Sequence, residues 1–238
     1  MKTIRLDKYL ADTGIGTRSE VKKILKQGNI TVNNEKAVKA DIKIKPDTDM
    51  VCYNNKEIHY SQYEYYMLNK PAGYVSATED REKPVVISLI KDSSHKGLFP
   101  VGRLDIDTEG LLLITDDGQL AHNLLSPAKH VEKTYYVEVD GPIKEELVDG
   151  FQKGLDIGDE KLTYPAKIQL AQAEGTAYVT IKEGRYHQIK RMFKKYDLTV
   201  TYLRRLSMGP LQLDESLKLG EFRPLTKQEL ETLMLHNH

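Results

Sequence analysis

The chain has few residues that could form disulfide bonds or bind metal ions. Its 238 residues include a single cysteine, Cys52, which excludes an internal disulfide framework and a thiolate metal cluster. His59, His95, His122, His130 and His187 are too irregularly spaced to match a metal-ligand motif. We therefore expect that the protein binds no metal ion.

Long hydrophobic runs are also missing. No apolar stretch approaches the length of a membrane-spanning helix. The first residues, MKTIRLDKYL, contain no hydrophobic signal segment. This pattern predicts neither secretion nor membrane insertion, and we expect a cytoplasmic protein.

The chain has no excess of either charge. Lys and Arg total 35, and so do Asp and Glu. The overall balance hides local segregation, so nucleic-acid binding has to be judged segment by segment. The length suits one large domain, or a large domain with a small one, and we find no internal repeat.

Residues 1–59 have the pattern of a small separate domain. Thr17 and Glu20 have the spacing of a helix capping box, and Gly28 is placed to end the same helix. The predicted buried residues of this helix are Val21, Ile24 and Leu25. Several short strands are predicted to follow it.

A row of cations occupies another side of these first helices. Its members are Arg5, Lys8, Arg18, Lys22 and Lys26. Stacked cations suit RNA, because neutralising phosphates supplies most of the affinity that does not depend on sequence. An ordinary solvated helix surface has the same pattern, so the spacing alone leaves both interpretations open.

Residues 60–238 predict an α+β domain, joined to the first by a polar linker near 54–62. Strands are predicted at 65–68, 111–115, 134–139, 166–170, 177–181 and 199–203, and helices at 119–125, 143–153, 186–196 and 226–235. Strands that follow one another with only occasional helices favour a mostly antiparallel mixed sheet. We expect helices to flank this sheet, and we expect a central cleft.

The stretch GRLDIDTEG places three carboxylates, Asp105, Asp107 and Glu109, directly before the apolar run at 111–114. The spacing partly matches a calcium-binding EF-hand, but the final glutamate and the flanking helices of that motif are not predicted here. A solvated turn is a second interpretation. Asp105 stands apart because Leu104 and Ile106 bracket it, which could hold its carboxylate at a cleft beside a cation.

A second basic segment lies at 182–205, where eight Lys and Arg residues face only two acidic ones. Lys190 and Lys194 share one side of a predicted helix that begins near Tyr186 and His187. Aromatic rings interleaved with cations suit stacked bases and phosphates together. A solvated helix surface is again the alternative.

Two resemblances connect these segments. RLDKYLADTGIGTRSEVKKILKQGNITVN resembles the S4 RNA-binding domain. GRLDIDTEGLLLITDDG, EKTYYV, EGRYHQIKRMF and LNKPAGYVSA together resemble the RsuA-type family of pseudouridine synthases, whose members carry an N-terminal S4 domain. RLDIDTEGLLLITDDGQLAH and SPAKHVEKTY most resemble the small-subunit enzymes, which implies uridine 516 of 16S ribosomal RNA as the substrate.

The resemblance implies a role for each of four residues. Asp105 would be the catalytic aspartate, and Lys190 would be the cation that keeps it charged. Tyr135 would stack on the uracil and assist loss of its C5 proton. Arg103 would fill the gap left by the flipped base or hold a phosphate. Arg5, Lys8, Arg18, Lys22, Lys26, Arg185 and Arg191 would bind RNA, whereas His187 would pack at the start of its helix.

The same resemblance implies an isomerisation that uses no cofactor. Asp105 could attack C1′ of the ribose or remove a sugar proton, and the sequence does not distinguish these two routes. The expected partner is ribosomal RNA, as 16S RNA or a partly assembled small subunit, and we expect a monomer. Two alternatives stay open: modification of 23S ribosomal RNA, and a non-catalytic ribosome-assembly factor.

Overall fold

The computed structural model describes residues 3–58, 60, 62–91, 93, 95 and 97–235. The chain divides into two compact units, Met1–Glu64 with Asp92–Gly97, and Tyr65–Lys91 with Leu98–His238. The predicted boundary between 59 and 60 adjoins His59, which lies outside the described residues, and that boundary stays a prediction. No helix in the described part combines the length and the apolar character needed to cross a bilayer.

The first unit packs two helices against short strands. The helices are α1 (Leu6–Asp12) and α2 (Arg18–Lys26). The strands are β1 (Ile4–Arg5), β2 (Ile30–Val32), β3 (Glu35–Lys36), β4 (Lys43–Ile44), β5 (Val51–Tyr53) and β6 (Lys56–Ile58). β1 pairs with β4, and the other four form an antiparallel sheet in the order β3-β2-β5-β6.

The predicted capping box is confirmed. The Glu20 backbone N–H donates to the Thr17 hydroxyl at 3.3 Å, and the Thr17 N–H donates to the Glu20 carboxylate at 2.7 Å. Val21 and Leu25 are buried in a core with Leu6, Tyr9 and Leu10 of α1, and Ile24 is partly buried against it. Burying each large aliphatic side chain contributes about 1.5–3 kcal/mol, so this apolar stripe anchors α2 and leaves its cations outside.

In the second unit, nine strands of the described chain form one mixed sheet. They are β7 (Tyr65–Lys70), β8 (Phe99–Pro100), β9 (Glu109–Thr115), β10 (Lys133–Val139), β11 (Lys167–Leu170), β12 (Thr176–Ile181), β13 (Val200–Met208), β14 (Leu211–Gln212) and β15 (Phe222–Pro224). The main order is β11-β12-β10-β13-β9-β7-β15, and only the β13–β9 pairing is parallel. The predicted α+β class with a mostly antiparallel sheet is therefore confirmed.

Helices cover the sheet on both sides. They are α3 (Gly118–Leu125), α4 (Glu145–Lys153), α5 (Gln188–Lys194) and α6 (Lys227–Leu235). The side chains of successive residues in β9 point to opposite faces of the sheet. Leu112 and Ile114 join the core with α4 and α5, whereas Leu111 and Leu113 join the core with α3 and α6.

Several predicted boundaries were wrong by two residues or more, and two of these have a clear physical reason. α5 begins at Gln188 rather than near Tyr186, because His187 adopts a left-handed backbone conformation with φ of 47°. β13 extends to Met208, well past the predicted end at 203. The charged pair Arg204-Arg205 hid this extension, because Arg205 is buried and its Nε donates to the Leu111 carbonyl at 2.7 Å.

Candidate active site

The first residues of the acidic stretch, from Gly102 to Thr108, form a tight loop before β9, and Glu109 and Gly110 begin that strand. Gly110 has φ of 100°, and a Cβ there would lie 2.2 Å from the Arg205 carbonyl oxygen on β13. Glycine is thus required where two strands approach closely. Strands rather than helices flank the loop, so the structure does not support the calcium-binding interpretation.

Lys70, the last residue of β7, holds this loop by its backbone. Its side chain is fully buried, and its ammonium group donates to the carbonyl oxygens of Asp105 (3.1 Å), Ile106 (3.3 Å) and Thr108 (2.8 Å). Burial lowers the pKa of Lys70 to about 8. A charged donor shared among several carbonyls fixes the path of the chain through 105–108.

The residues after Lys70 hold the loop further. The Ser76 hydroxyl donates to the Leu104 carbonyl at 2.9 Å and accepts the Leu104 N–H at 3.1 Å. The Gly73 N–H donates to the Ile106 carbonyl at 2.7 Å. Sequence reasoning used LNKPAGYVSA only as a family motif and missed Lys70, although a lysine that ends an apolar strand was a visible clue.

Asp105 meets Lys190 across the cleft. Lys190 Nζ lies 3.1 Å from Asp105 Oδ2 and 2.6 Å from Asp107 Oδ1. The side chains of Asp105 and Lys190 are 26% and 23% exposed, whereas that of Asp107 is 66% exposed. The structure thus brings the predicted aspartate and the predicted cation together, with a second carboxylate on the same ammonium group.

The titration of this cluster follows from two opposing effects. Burial acts to lower the pKa of Lys190, but hydrogen bonds to Asp107 and Asp105 outweigh it and raise that pKa above its ordinary value. Burial acts to raise the pKa of Asp107, but Lys190 outweighs it and the net shift is downward. Both shifts favour the charged pair at neutral pH.

His187 lies on the other side of Asp105. Its Nε2 is 3.6 Å from Asp105 Oδ1. The imidazole forms no capping hydrogen bond with α5, and its ring stacks on the ring of Tyr186. His187 thus stands at the start of α5, as expected, and also lines the cleft.

A cleft with a cavity volume of about 70 Å³ opens beside Asp105. Tyr135, on β10, is buried and lines this cleft. Its apolar walls come from Leu104, Ile181, Ile189 and Leu203. An aromatic ring facing a carboxylate across an apolar pocket suits a planar, uncharged heterocycle attached to a sugar.

Arg103 lines the same cleft and is exposed. Its guanidinium forms no ion pair with any residue that the structure describes. A free guanidinium at the mouth of the cleft is available to an anionic partner such as a phosphate.

The arginines of the second basic segment are engaged within the protein. Arg191 donates to both carboxylate oxygens of Asp159, at 2.8 and 3.0 Å. Arg185 contacts Glu183 at 2.9 Å, Asp159 at 3.3 Å and two backbone carbonyls. These contacts hold the Arg185 guanidinium and the terminal nitrogens of Arg191 within the protein, whereas Arg191 Nε is buried without a partner. RNA binding by Arg185 and Arg191 stays a prediction.

The cations of the first unit that were predicted to bind RNA differ in whether they lie beside a carboxylate. Arg5 pairs with Asp7 at 2.8 Å, and Lys8 lies 4.0 Å from Asp12. Arg18, Lys22 and Lys26 are exposed. Arg5, Lys22 and Lys26 also line one surface groove of this unit, which keeps the RNA-binding hypothesis for this surface open.

Comparisons with known proteins match both units. The family model described as RNA pseudouridylate synthase matches residues 64–195, and the S4 domain model matches residues 4–49. A Bacillus subtilis protein named an uncharacterised RNA pseudouridine synthase is 43% identical over 97% of this chain and 98% of its own length. The Escherichia coli K12 ribosomal small subunit pseudouridine synthase A is 38% identical over 97% of this chain and its full length.

A solved structure agrees with the sequence matches. A crystal structure of a pseudouridylate synthase covers 97% of this chain and 99% of its own, with a TM-score of 0.68 and 37% identity. The sequence matches and the structural match thus indicate the same family over nearly the whole chain. The protein belongs to the RsuA-type family of RNA pseudouridine synthases and carries an S4 domain at its N-terminal end.

Proposed function

We propose that this enzyme converts uridine 516 of 16S ribosomal RNA to pseudouridine, on the RNA or on a partly assembled small subunit. Relatives named ribosomal small subunit pseudouridine synthase A support the choice of RNA. The protein would act in the cytoplasm, as a monomer and without a cofactor. Family membership favours this enzymatic function over that of a non-catalytic assembly factor.

The observation that carries the proposal is the Asp105–Lys190 pair inside a cleft with an aromatic wall. Pseudouridine formation breaks the bond between N1 of uracil and C1′ of ribose, which builds positive charge on the sugar. A carboxylate beside that charge acts as a nucleophile or stabilises it, as in glycosidases. Lys190 lies 3.1 Å from Asp105 Oδ2 and His187 lies 3.6 Å from Oδ1, so both neighbours hold the Asp105 carboxylate in the cleft.

Two routes are open to the Asp105 carboxylate. Attack on C1′ displaces uracil and gives a covalent sugar ester, whereas removal of the 2′ proton expels uracil and gives a glycal. The detached uracil turns, and its C5 bonds to C1′ as the ester bond breaks or as the 2′ proton returns to C2′. In both routes N1 gains a proton and the C5 proton leaves. The reaction has no net redox change, and the retained base needs no external acceptor.

Tyr135 and Arg103 would assist the reaction in different ways. The Tyr135 ring would stack on the uracil while the base turns, and its hydroxyl would help remove the C5 proton. The exposed Arg103 would bind a phosphate or occupy the space vacated in the RNA. Extracting a stacked base costs a few kcal/mol, and these contacts, with those of the S4 surface, would offset that cost.

Replacing Asp105 by asparagine tests the chemistry. Asp105→Asn should abolish tritium release from C5-labelled ribosomal RNA, because the amide cannot supply a negative oxygen, and it should leave RNA binding nearly unchanged. Asp149→Asn, a change at an exposed carboxylate on α4 outside the cleft, is the matched control and should retain activity. Persistent turnover in Asp105→Asn would refute the assignment.

Mapping pseudouridines tests the substrate. The enzyme is incubated with 16S RNA, with 23S RNA and with partly assembled small subunits, and each RNA is then sequenced for pseudouridine. Modification at uridine 516 alone is the expected result. Modification of 23S RNA instead would keep the chemistry and move the enzyme to the large subunit.

A further inference from the structure

Tyr186 presents an unusual aromatic surface to solvent. It is 76% exposed, more than any other large hydrophobic residue that the structure describes. Its ring stacks on the His187 imidazole, with centroids 3.8 Å apart and planes 18° from parallel. Because His187 covers one face of the ring, most of the exposed area belongs to the opposite face. Apolar area left in water contributes nothing to folding.

The neighbouring residues hold this ring pair in place. The Arg185 N–H donates to the Gln188 side-chain oxygen at 3.0 Å, and the Gln188 N–H donates to the Arg185 carbonyl at 3.1 Å. Glu183 binds both side chains, at 2.9 Å to Arg185 and 3.2 Å to Gln188. Left-handed backbone at His187 is uncommon for a residue with a side chain. The exposed ring is thus oriented before any partner arrives.

The stacked rings of Tyr186 and His187 lie between Asp105 in the cleft and the solvent-exposed surface. His187 lines the cleft and lies 3.6 Å from Asp105 Oδ1, and the Tyr186 ring stacks on the His187 ring. A uridine inserted in the cleft would leave the adjoining nucleotide at this edge. Aromatic rings bind unpaired bases by stacking, with little dependence on which base is present.

We propose that the open face of Tyr186 stacks on the nucleobase adjacent to the target uridine, and that His187 fixes the Tyr186 ring in the stacking orientation. The inference rests on the proposed function and deepens it, because it identifies a substrate-positioning contact outside the reacting uridine. Arg185 then supports the stacking platform through the backbone and does not contact phosphate.

Kinetics of three variants test the proposal on the RNA that the wild-type enzyme modifies. Tyr186→Ala should raise KM by about fivefold to a hundredfold, the range that stacking of one base contributes, with kcat within about twofold of wild type. Tyr186→Phe should behave like wild type, since the stacking face is kept. Tyr178→Ala removes a ring 40% exposed on β12, away from the cleft, and should change neither constant.

A fluorescent base gives an independent readout. The test uses an RNA with 2-aminopurine in place of the base next to the modified uridine. Its fluorescence should be quenched on binding to the wild-type protein and to Tyr186→Phe, but not on binding to Tyr186→Ala. An unchanged KM in Tyr186→Ala, or a loss confined to kcat, would overturn the inference. If the wild-type protein forms no pseudouridine, both the proposed function and this inference are overturned. If the wild-type protein turns over normally and Tyr186→Ala has the same KM as wild type, only the inference is overturned.

Discussion

Replacing Lys190 by methionine should lower kcat far more than it lowers the affinity for RNA. Methionine keeps most of the length and apolar contacts of the lysine stem but removes the cation. Asp105 and Asp107 would then face one another without the ammonium group that lies 3.1 and 2.6 Å from them. The carboxylate form of Asp105, which the reaction requires, loses its stabilising partner.

The structure sets the size of this effect. At 3.1 Å and an effective dielectric constant of about 20, the attraction between Lys190 and Asp105 is about 5 kcal/mol. Both side chains are roughly a quarter exposed, so water screens the pair and we take about 2–3 kcal/mol as the net term. Each 1.36 kcal/mol is a factor of ten in rate, which predicts a 30- to 150-fold fall in kcat, as an order of magnitude.

Single-turnover tritium release at saturating RNA measures this change. Lys194→Met is the matched control, because Lys194 is exposed one turn further along α5 and lines no part of the cleft. Lys190→Arg should recover most of the rate, since it restores the positive charge. A Lys190→Met rate within threefold of wild type, or an equal loss in Lys194→Met, would refute the reasoning.

Two further predictions concern the support of the site and of α6. Lys70→Met should lower kcat about tenfold, because the loop carbonyls lose their shared donor. Lys133→Met is the control and should leave kcat unchanged: burial lowers the pKa of Lys133 to about 8 as well, but its ammonium group donates to the Val131 carbonyl. Equal kcat values in the two variants would contradict this prediction. Hydrogen bonding to Arg223 lowers the pKa of Glu229 from 4.5 to about 2. The unfolded chain therefore binds more protons between these pH values, so stability should fall as pH drops through this window, and urea unfolding of Glu229→Gln should show a smaller fall.

Much of the local structure was predictable from the sequence. The Thr17–Glu20 capping box needs only residues three apart, and the burial of Val21 and Leu25 needs only the helical period. These predictions succeed because short-range sterics and burial decide them. The bracketing of Asp105 by Leu104 and Ile106 indicated a possible cleft, but the catalytic role of Asp105 came from the resemblance and stays a prediction.

Other features escaped prediction for a physical reason. The ion pairs of Arg185 and Arg191 with Asp159 were not predicted, because nothing near 159 in the sequence indicates that contact. RNA binding by these two arginines stays a prediction. The hydrogen bond from Lys70 to the Thr108 carbonyl joins residues 38 positions apart. A buried charge is tolerated only where folding supplies acceptors, and sequence spacing does not show where those acceptors will be.

The sequence by itself determined the S4 domain and the α+β class, because ordered motifs and apolar periodicity depend on neighbouring residues. Only the tertiary structure decided that Lys190 lies beside both Asp105 and Asp107, that Asp159 pairs with Arg185 and Arg191, and that Tyr186 and His187 stack beside the cleft. Lys190 and Asp107 are 83 positions apart, and the parallel pairing of β13 with β9 is among the long-range contacts of the sheet that carries the site. Electrostatic attraction acts through space over a few ångströms, so the fold must first bring these groups together.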